Sequence, residues 1–168
     1  KRVITTEAAL LQAMDDFPRA MKQKKAEENE WFQGALGLLR GIAIVFHHFW
    51  GDYKKYCTLP HILAFTLIAS PEALTTFLRN DTSASMMAYG FLGSAGSDKT
   101  QSSIIFTLNN MLAGIATNKN ISYVLTGDDF VFDLVDPEDP KMFAVSNDYA
   151  LQGIISPIVA MLVPIASR

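Results

Sequence analysis

The chain of 168 residues contains a single cysteine, Cys57, and carries no excess of positive charge. One cysteine excludes an internal disulfide, which is consistent with a reducing compartment. The formal net charge is -3 and the isoelectric point is about 5.5, so no overall basic field attracts nucleic acid. Any contact with nucleic acid therefore has to come from local groups of lysine and arginine.

The sequence also lacks the residue spacings of common catalytic and metal sites. His47 and His48 are adjacent, and neighbouring side chains on a helix point about 100° apart, so they do not easily share one metal ion. His61 is isolated, and no Ser-His-Asp arrangement follows from spacing. The acidic stretch from Asp128 to Asp139 lacks the pattern of an EF-hand calcium loop. We therefore assign no catalytic, cofactor-binding or metal-binding residue.

What the sequence does contain is a long apolar run from Glu30 to Trp50, which predicts a buried central helix. The run is apolar on nearly every face and has no proline. Its glycines, Gly34, Gly37 and Gly41, recur at helical spacing, which predicts the close approach of a second helix or strand. A membrane span is the alternative for a run of about 20 residues, but the internal charge of Arg40, the histidines and the glycines disfavour it.

Further helical segments surround this run in the sequence. Residues 5–25 predict an amphipathic helix capped by Thr5 or Thr6 and kinked or split at Pro18. Ser70, Pro71 and Glu72 form a strong helix start, with a short helical piece near residues 85–87 after it. Another helix is predicted from about Asp98 to Ala116. The apolar side of the first helix is predicted to contain Ala8, Leu10, Leu11, Met14 and Phe17.

The character of the sequence changes beyond residue 120. Ile121 to Leu125 and residues 141–146 favour extended structure, and a helix follows from Tyr149, with kinks at Pro157 and Pro164. A strand that leads into a helix is one step of an α/β sheet. The predicted fold class is therefore mainly α: a helical bundle with a short flanking α/β piece.

The segment from Gly93 to Thr100, GSAGSDKT, partly matches the phosphate-binding loop G-x-x-x-x-G-K-[ST]. Asp98 occupies the position of the second glycine, and a carboxylate there repels an anion. We therefore interpret Gly90 to Gly96 as a small, flexible loop that leads into a capped helix, and we expect no ATP binding at this loop. Because the chain starts at Lys1 and ends on Arg168 after an apolar segment, we also expect a fragment of a longer protein.

Three phrases resemble type IV secretion coupling proteins, the TraG/TraD-like family of conjugative and mobilization DNA-transfer ATPases. NEWFQGALGLLRGIAIVFHHF is similar to the segment that opens their helical insertion, and KTQSSIIFTLNNMLAGIAT is similar to the long helix of that insertion. LTGDDFVFDLVDPEDPKMFAVSNDYALQGIISPIVAML looks like the return into the motor domain. The resemblance implies an N-terminal helix or linker in residues 1–27, an all-helical domain in 28–120, and a return into a RecA-like α/β domain in 121–168.

The resemblance also implies a function. The full-length proteins are ATPases that use ATP and magnesium, form a hexameric ring at the cytoplasmic face of the bacterial inner membrane, and pass DNA with its relaxase to the secretion channel. Their Walker motifs do not occur here, so we expect no ATPase activity and no cofactor in this fragment, which is expected to be soluble and cytoplasmic. Its expected partners are DNA, the relaxase or other relaxosome proteins, and membrane attachment is expected only through segments outside this chain.

A DNA contact, if made, is predicted to use exposed basic residues of the helical part, with the acidic stretch from Asp128 to Asp139 facing away. Two alternatives remain open: a stand-alone helical protein-interaction module, and a degenerate nucleotide-binding protein. The candidate DNA-binding residues are Lys22, Lys24, Lys25, Lys54, Lys55, Arg79 and Lys99.

Overall fold

The described part of the chain is built from α-helices, which confirms the mainly α class. The structure is a computed structural model, and it describes residues 6–21, 29–50, 57–116, 118–126, 138 and 155–159. Residues 155–159 form a short helical segment. The helices in chain order are α1 (Glu7–Met21), α2 (Glu30–Trp50), α3 (Leu59–Ile68), α4 (Pro71–Arg79), α5 (Thr82–Met87), α6 (Tyr89–Gly93), α7 (Asp98–Ala116) and α8 (Lys119–Thr126).

Helix α2 is the centre of the bundle, as the apolar run predicts. It packs against α1 and against α3 to α7, and its middle residues, from Ala35 to Phe46, supply more buried apolar side chains than any other described helix. Trp31 and Phe49 are exceptions, with exposed fractions of 36% and 51%, because they lie in the terminal turns. Among the described residues, no helix has both the length and the apolarity needed to cross a membrane.

The glycines of α2 allow the close approach that their spacing predicts. A Cβ atom placed on Gly37 would lie 2.6 Å from the backbone oxygen of Met87 in α5. A Cβ on Gly41 would lie 2.8 Å from Leu78 Cδ2 and 2.9 Å from the backbone oxygen of Ala84. Such distances are far shorter than normal packing contacts, so α5 rests directly on the backbone of α2.

Helix α1 packs along α2 through an apolar face. The Thr6 hydroxyl accepts a hydrogen bond from the backbone N–H of Ala9 at 3.2 Å, which confirms Thr6 as the cap. The predicted split at Pro18 was wrong, since α1 continues through Pro18 to Met21; the proline removes only the one helical hydrogen bond that its own N–H would donate. The prediction was wrong for Ala8, which is exposed; the buried residues are Ala9, Leu10, Ala13, Met14 and Phe17.

One ion pair fixes α1 on α2. Nε and Nη2 of Arg40, the only charged residue in the interior of α2, bind the two carboxylate oxygens of Asp15 on α1. Both side chains are about three-quarters buried, with exposed fractions of 28% and 23%. The charge inside the apolar run therefore has a partner that lies 25 residues earlier in the sequence.

Short helices complete the bundle around the C-terminal half of α2. Ser70 caps α4 through a hydrogen bond from Ala73 N–H, which confirms the predicted helix start. The Phe46 ring of α2 packs against Phe65 of α3 and Phe77 of α4, with centroid distances of 5.7 Å to each. The predicted helical piece near residue 85 is confirmed as α5.

The loop prediction for Gly90 to Gly96 was wrong for its first half. Residues Tyr89–Gly93 form α6, whose Phe91 is fully buried. Burial of this aromatic ring stabilises a helical turn that its two glycines disfavour locally. Only residues 94–96 form a turn between helices.

Helix α7 begins and ends at the predicted residues and packs on α2 through an apolar stripe that includes Ile104, Leu108 and Leu112. The predicted extended segment at residues 121–125 was wrong, since α8 occupies Lys119–Thr126. Its apolar residues, Ile121, Val124 and Leu125, have helical spacing, which outweighs the strand preference of the β-branched side chains. The predictions for residues 127–137 and for the strand at 141–146 lie outside the described residues.

Candidate functional site

Two of the seven candidate DNA-binding residues, Arg79 and Lys99, lie in the described part of the chain, and both are exposed. Arg79 is in the last turn of α4, and Lys99 is in the first turn of α7. The described residues therefore place these two candidates at helix ends. The other five, Lys22, Lys24, Lys25, Lys54 and Lys55, lie outside the described residues, as does nearly all of the acidic stretch.

The positive charges of Arg79 and Lys99 interact differently with the dipoles of their helices. A positive charge near a helix C-terminus interacts favourably with the helix dipole, so Arg79 stabilises α4 locally. The same charge near an N-terminus is unfavourable, and Lys99 lies directly after Asp98 at the start of α7. The helix dipole thus accounts for a positive charge at the position of Arg79 but not at the position of Lys99.

The segment around Lys99 has the geometry of a capped helix start rather than of a phosphate-binding loop. It follows helix α6, whereas a phosphate-binding loop follows a strand. The Ser97 hydroxyl lies 2.9 Å from the Thr100 hydroxyl, and the Thr100 N–H donates to the Ser97 backbone oxygen at 3.0 Å. Thr100, which would bind magnesium in a phosphate-binding loop, is here part of the helix cap.

Large apolar side chains are exposed on α5 to α8. Phe106 has an exposed fraction of 67%, and it lies seven residues after Lys99 on α7, which places both on the same side of the helix about 10 Å apart. Single exposed apolar residues are common, so their number alone assigns no role. The others on these helices are Met86, Tyr89 and Tyr123.

A cluster of titratable side chains joins three elements at the C-terminal end of α2. Nδ1 of His48 lies 2.6 Å from Asp81 Oδ2, and Nε2 lies 3.3 Å from Glu7 Oε2. Asp81 also caps α5, since its Oδ1 accepts from the Ala84 N–H at 2.8 Å. Sequence reasoning missed this cluster because its acids lie 41 and 33 residues from the histidine, and no local pattern links them.

Among the described residues, no group of three histidine, cysteine, aspartate or glutamate side chains is arranged so that it could hold a metal ion, and this includes the His48 cluster. His61 lies on α3, where its Nδ1 is 2.7 Å from the Thr58 hydroxyl. His61 also lines a shallow crevice of about 250 Å³ between α3, the end of α7 and α8. The residues that form this crevice are Pro60, His61, Ala64, Ala116, Ser122 and Thr126. The crevice is open and mostly apolar, without a convergent set of polar groups of the kind that orients a small ligand.

No family model, curated protein or solved structure matches this chain. The functional assignment therefore depends on the residues, their geometry and the resemblance described above.

Proposed function

We propose that this chain is the helical domain of a conjugative or mobilization coupling protein, which contacts DNA or relaxosome proteins at the entrance of a type IV secretion channel. The supporting observation concerns the first two phrases that carry the resemblance. They correspond to α2 and α7, the longest described helices, which pack against each other in one bundle. The two phrases are thus parts of one helical unit.

The DNA contact in this proposal is local and electrostatic. Lys99 projects from the start of α7 without a stabilising role in its helix, and Phe106 lies on the same side of α7. A cation and an exposed aromatic ring on one side of a helix, here two turns apart, can contact the backbone of single-stranded DNA and stack on one of its bases. With a net charge of -3, the isolated chain is expected to bind weakly and to need the hexameric ring for useful affinity.

The test is a titration of fluorescent single-stranded DNA with the chain at roughly 50 and 200 mM salt. Binding should weaken at the higher salt and on charge reversal in Lys99→Glu, Arg79→Glu, Lys22→Glu/Lys24→Glu and Lys54→Glu/Lys55→Glu. Lys119→Glu is the matched control, since Lys119 is an exposed lysine at the start of α8 and not a candidate. Binding that is insensitive to salt and to every reversal contradicts the electrostatic contact.

A stand-alone protein-interaction module is the second candidate, and the exposure of Tyr89 and Phe106 favours it. If DNA does not bind at either salt concentration, the same variants are tested against a purified relaxase. Binding of the relaxase supports the coupling-protein proposal with a protein partner, whereas a stand-alone module is expected to bind neither DNA nor the relaxase. In a complex with the relaxase, Phe106→Ser should weaken binding, while Lys119→Glu should leave it unchanged. An undiminished complex with Phe106→Ser would exclude this face of α7 as the contact.

A further inference from the structure

The His48 cluster contains more hydrogen-bond acceptors than a neutral histidine can satisfy. A neutral imidazole carries one N–H group, and the other nitrogen is an acceptor. In this structure both nitrogens of His48 face carboxylate oxygens, at 2.6 Å for Asp81 and 3.3 Å for Glu7. Both contacts are hydrogen bonds only when the ring is doubly protonated. The geometry is therefore that of an imidazolium ion between two carboxylates.

The surroundings of His48 favour this protonated form. The hydrogen bond to Asp81 raises the pKa of His48 above its usual value, partial burial opposes the rise, and Glu7 adds to it. His48 also lies in the last turn of α2, where a cation is stabilised by the helix dipole. His47 is the adjacent titratable residue on α2, with its ring centroid 5.9 Å away, and Arg79 ends α4 two residues before Asp81.

The two acids hold His48 with different strength. Asp81 is the less exposed of the pair, at 13% against 44% for Glu7, and it is fixed a second time by its hydrogen bond from Ala84 N–H. Glu7 makes the longer contact and lies in the first turn of α1. When His48 loses one proton, the remaining N–H stays with Asp81 and the bond to Glu7 is lost.

We propose that His48 is a pH-dependent clasp that holds the first turn of α1 against the end of α2 and opens on deprotonation. Helix α5 keeps its cap when the clasp opens, because Asp81 still accepts from Ala84 N–H. The rest of α1 also stays in place, since Asp15 remains bound to Arg40 two turns further along. The change is therefore confined to the N-terminal turn of α1. Because the pKa of a histidine lies close to neutrality, the clasp responds in the physiological pH range.

The test combines an NMR titration of the His48 ring with hydrogen exchange of the Ala9 and Leu10 amides, both hydrogen-bonded to Thr6. In the unmodified chain, the protection of these amides, corrected for intrinsic exchange, should fall about two- to fivefold from pH ~6 to pH ~8.5, the factor for a partly exposed ion pair. Glu7→Gln should abolish the pH dependence at Ala9 and Leu10 and lower the pKa of His48.

His47→Gln is the matched control, because it removes the neighbouring histidine and leaves the two carboxylates in place. It should retain both the pH dependence and the raised pKa of His48. A His48 ring that titrates at its usual pKa overturns the proposal. The proposal is also overturned if the Ala9 and Leu10 amides of the unmodified chain are equally protected at the two pH values. It is overturned as well if the pH dependence of their protection persists in Glu7→Gln.

Discussion

At the scale of single residues, Gly37 faces a backbone atom of α5 and not a side chain. A side chain in the way can rotate, whereas the carbonyl oxygen of Met87 is fixed by its helix. Every atom added at this position therefore has to displace α5 from α2. Gly96 is the opposite case, because a Cβ there would have no heavy atom within 4 Å.

We therefore expect Gly37→Leu to lower the free energy of unfolding by about 1–3 kcal/mol through overpacking. Gly96→Leu, the matched control, should change it by no more than about 0.5 kcal/mol. The measurement is urea denaturation of both variants and of the unmodified chain, followed by circular dichroism. Equal stability of the Gly37 and Gly96 variants would contradict the close contact with Met87.

The spacing of the glycines predicted the contact but not its partner. Gly34, Gly37 and Gly41 align on one side of any helix, so the existence of a smooth side follows from the sequence. Which helix covers that side depends on how the chain between residues 50 and 90 folds back. The ring of Phe91, which converts a glycine-rich segment into α6, shows the same dependence on tertiary packing.

At the scale of helices, α1 is attached to α2 by its apolar face and by the ion pair between Asp15 and Arg40. Both oxygens of Asp15 are used, and the pair is mostly shielded from solvent. A partner removed from such a pair leaves the other charge without compensation. The neighbouring Asp16 differs, since it accepts only from Gln12 of the same helix among the described hydrogen bonds.

Asp15→Asn should therefore lower the free energy of unfolding by about 1–2 kcal/mol, in the range of a charge-assisted hydrogen bond. Asp16→Asn should have little effect and serves as the control. In a double-mutant cycle with Arg40→Met, the second substitution should restore part of the loss. Strictly additive effects of Asp15→Asn and Arg40→Met would show that the two side chains do not interact.

The limits of several helices were predictable because local chemistry sets them. Ser70 with Pro71 starts α4, and the apolar stripe from Asp98 onward defines α7. The segment of α8 was predicted as extended because Ile121 and Val124 prefer strands when considered one by one. Its helical spacing was the better indicator, and it is also a property of the sequence alone.

At the scale of the whole molecule, stability is expected to be greatest at mildly acidic pH. The pKa of His48 is raised, so its contribution is complete below the unfolded value of 6.5 and is lost as the pH rises through the folded value. The pKa of Glu72 is lowered by a hydrogen bond from Ser70. Burial opposes the shift of Asp81, but hydrogen bonds from His48 and Ala84 outweigh it and lower its pKa. The contributions of both acids are lost as the pH falls.

The urea midpoint should accordingly be higher at about pH 5.5 than at about pH 3 or pH 8.5. The loss on the alkaline side should disappear in His48→Gln, while the loss on the acidic side should persist there in part through Glu72. A midpoint at pH ~8.5 equal to that at pH ~5.5 in the unmodified chain would contradict the assignment of His48.

The arrangement of sites across the molecule was the least predictable feature. The His48 cluster joins residues of three separate elements, Glu7, His48 and Asp81. Nothing in the local sequence around each of them distinguishes it from an ordinary surface residue. Lys99 and Phe106, in contrast, share a side of one helix, so their proximity follows from spacing alone once α7 is predicted. Sequence reasoning can thus place residues of one helix relative to each other, and it misses groups of residues that the fold assembles.

The glycine stripe of α2 also affects how α5 is positioned along the axis of α2. Helices with large side chains interlock ridge into groove, which prevents sliding, and a smooth stripe lacks these ridges. The contacts that α5 makes with this stripe are backbone contacts, through the Met87 oxygen at Gly37 and the Ala84 oxygen at Gly41. Such contacts limit how closely the two helices approach, but they do not lock α5 along the axis. The side chains that face the stripe come from other elements: Ile104 of α7 at Gly34, and Leu78 of α4 and Ala88, between α5 and α6, at Gly41. The neighbouring elements, and not interlocking with α2, therefore hold α5 in its longitudinal register.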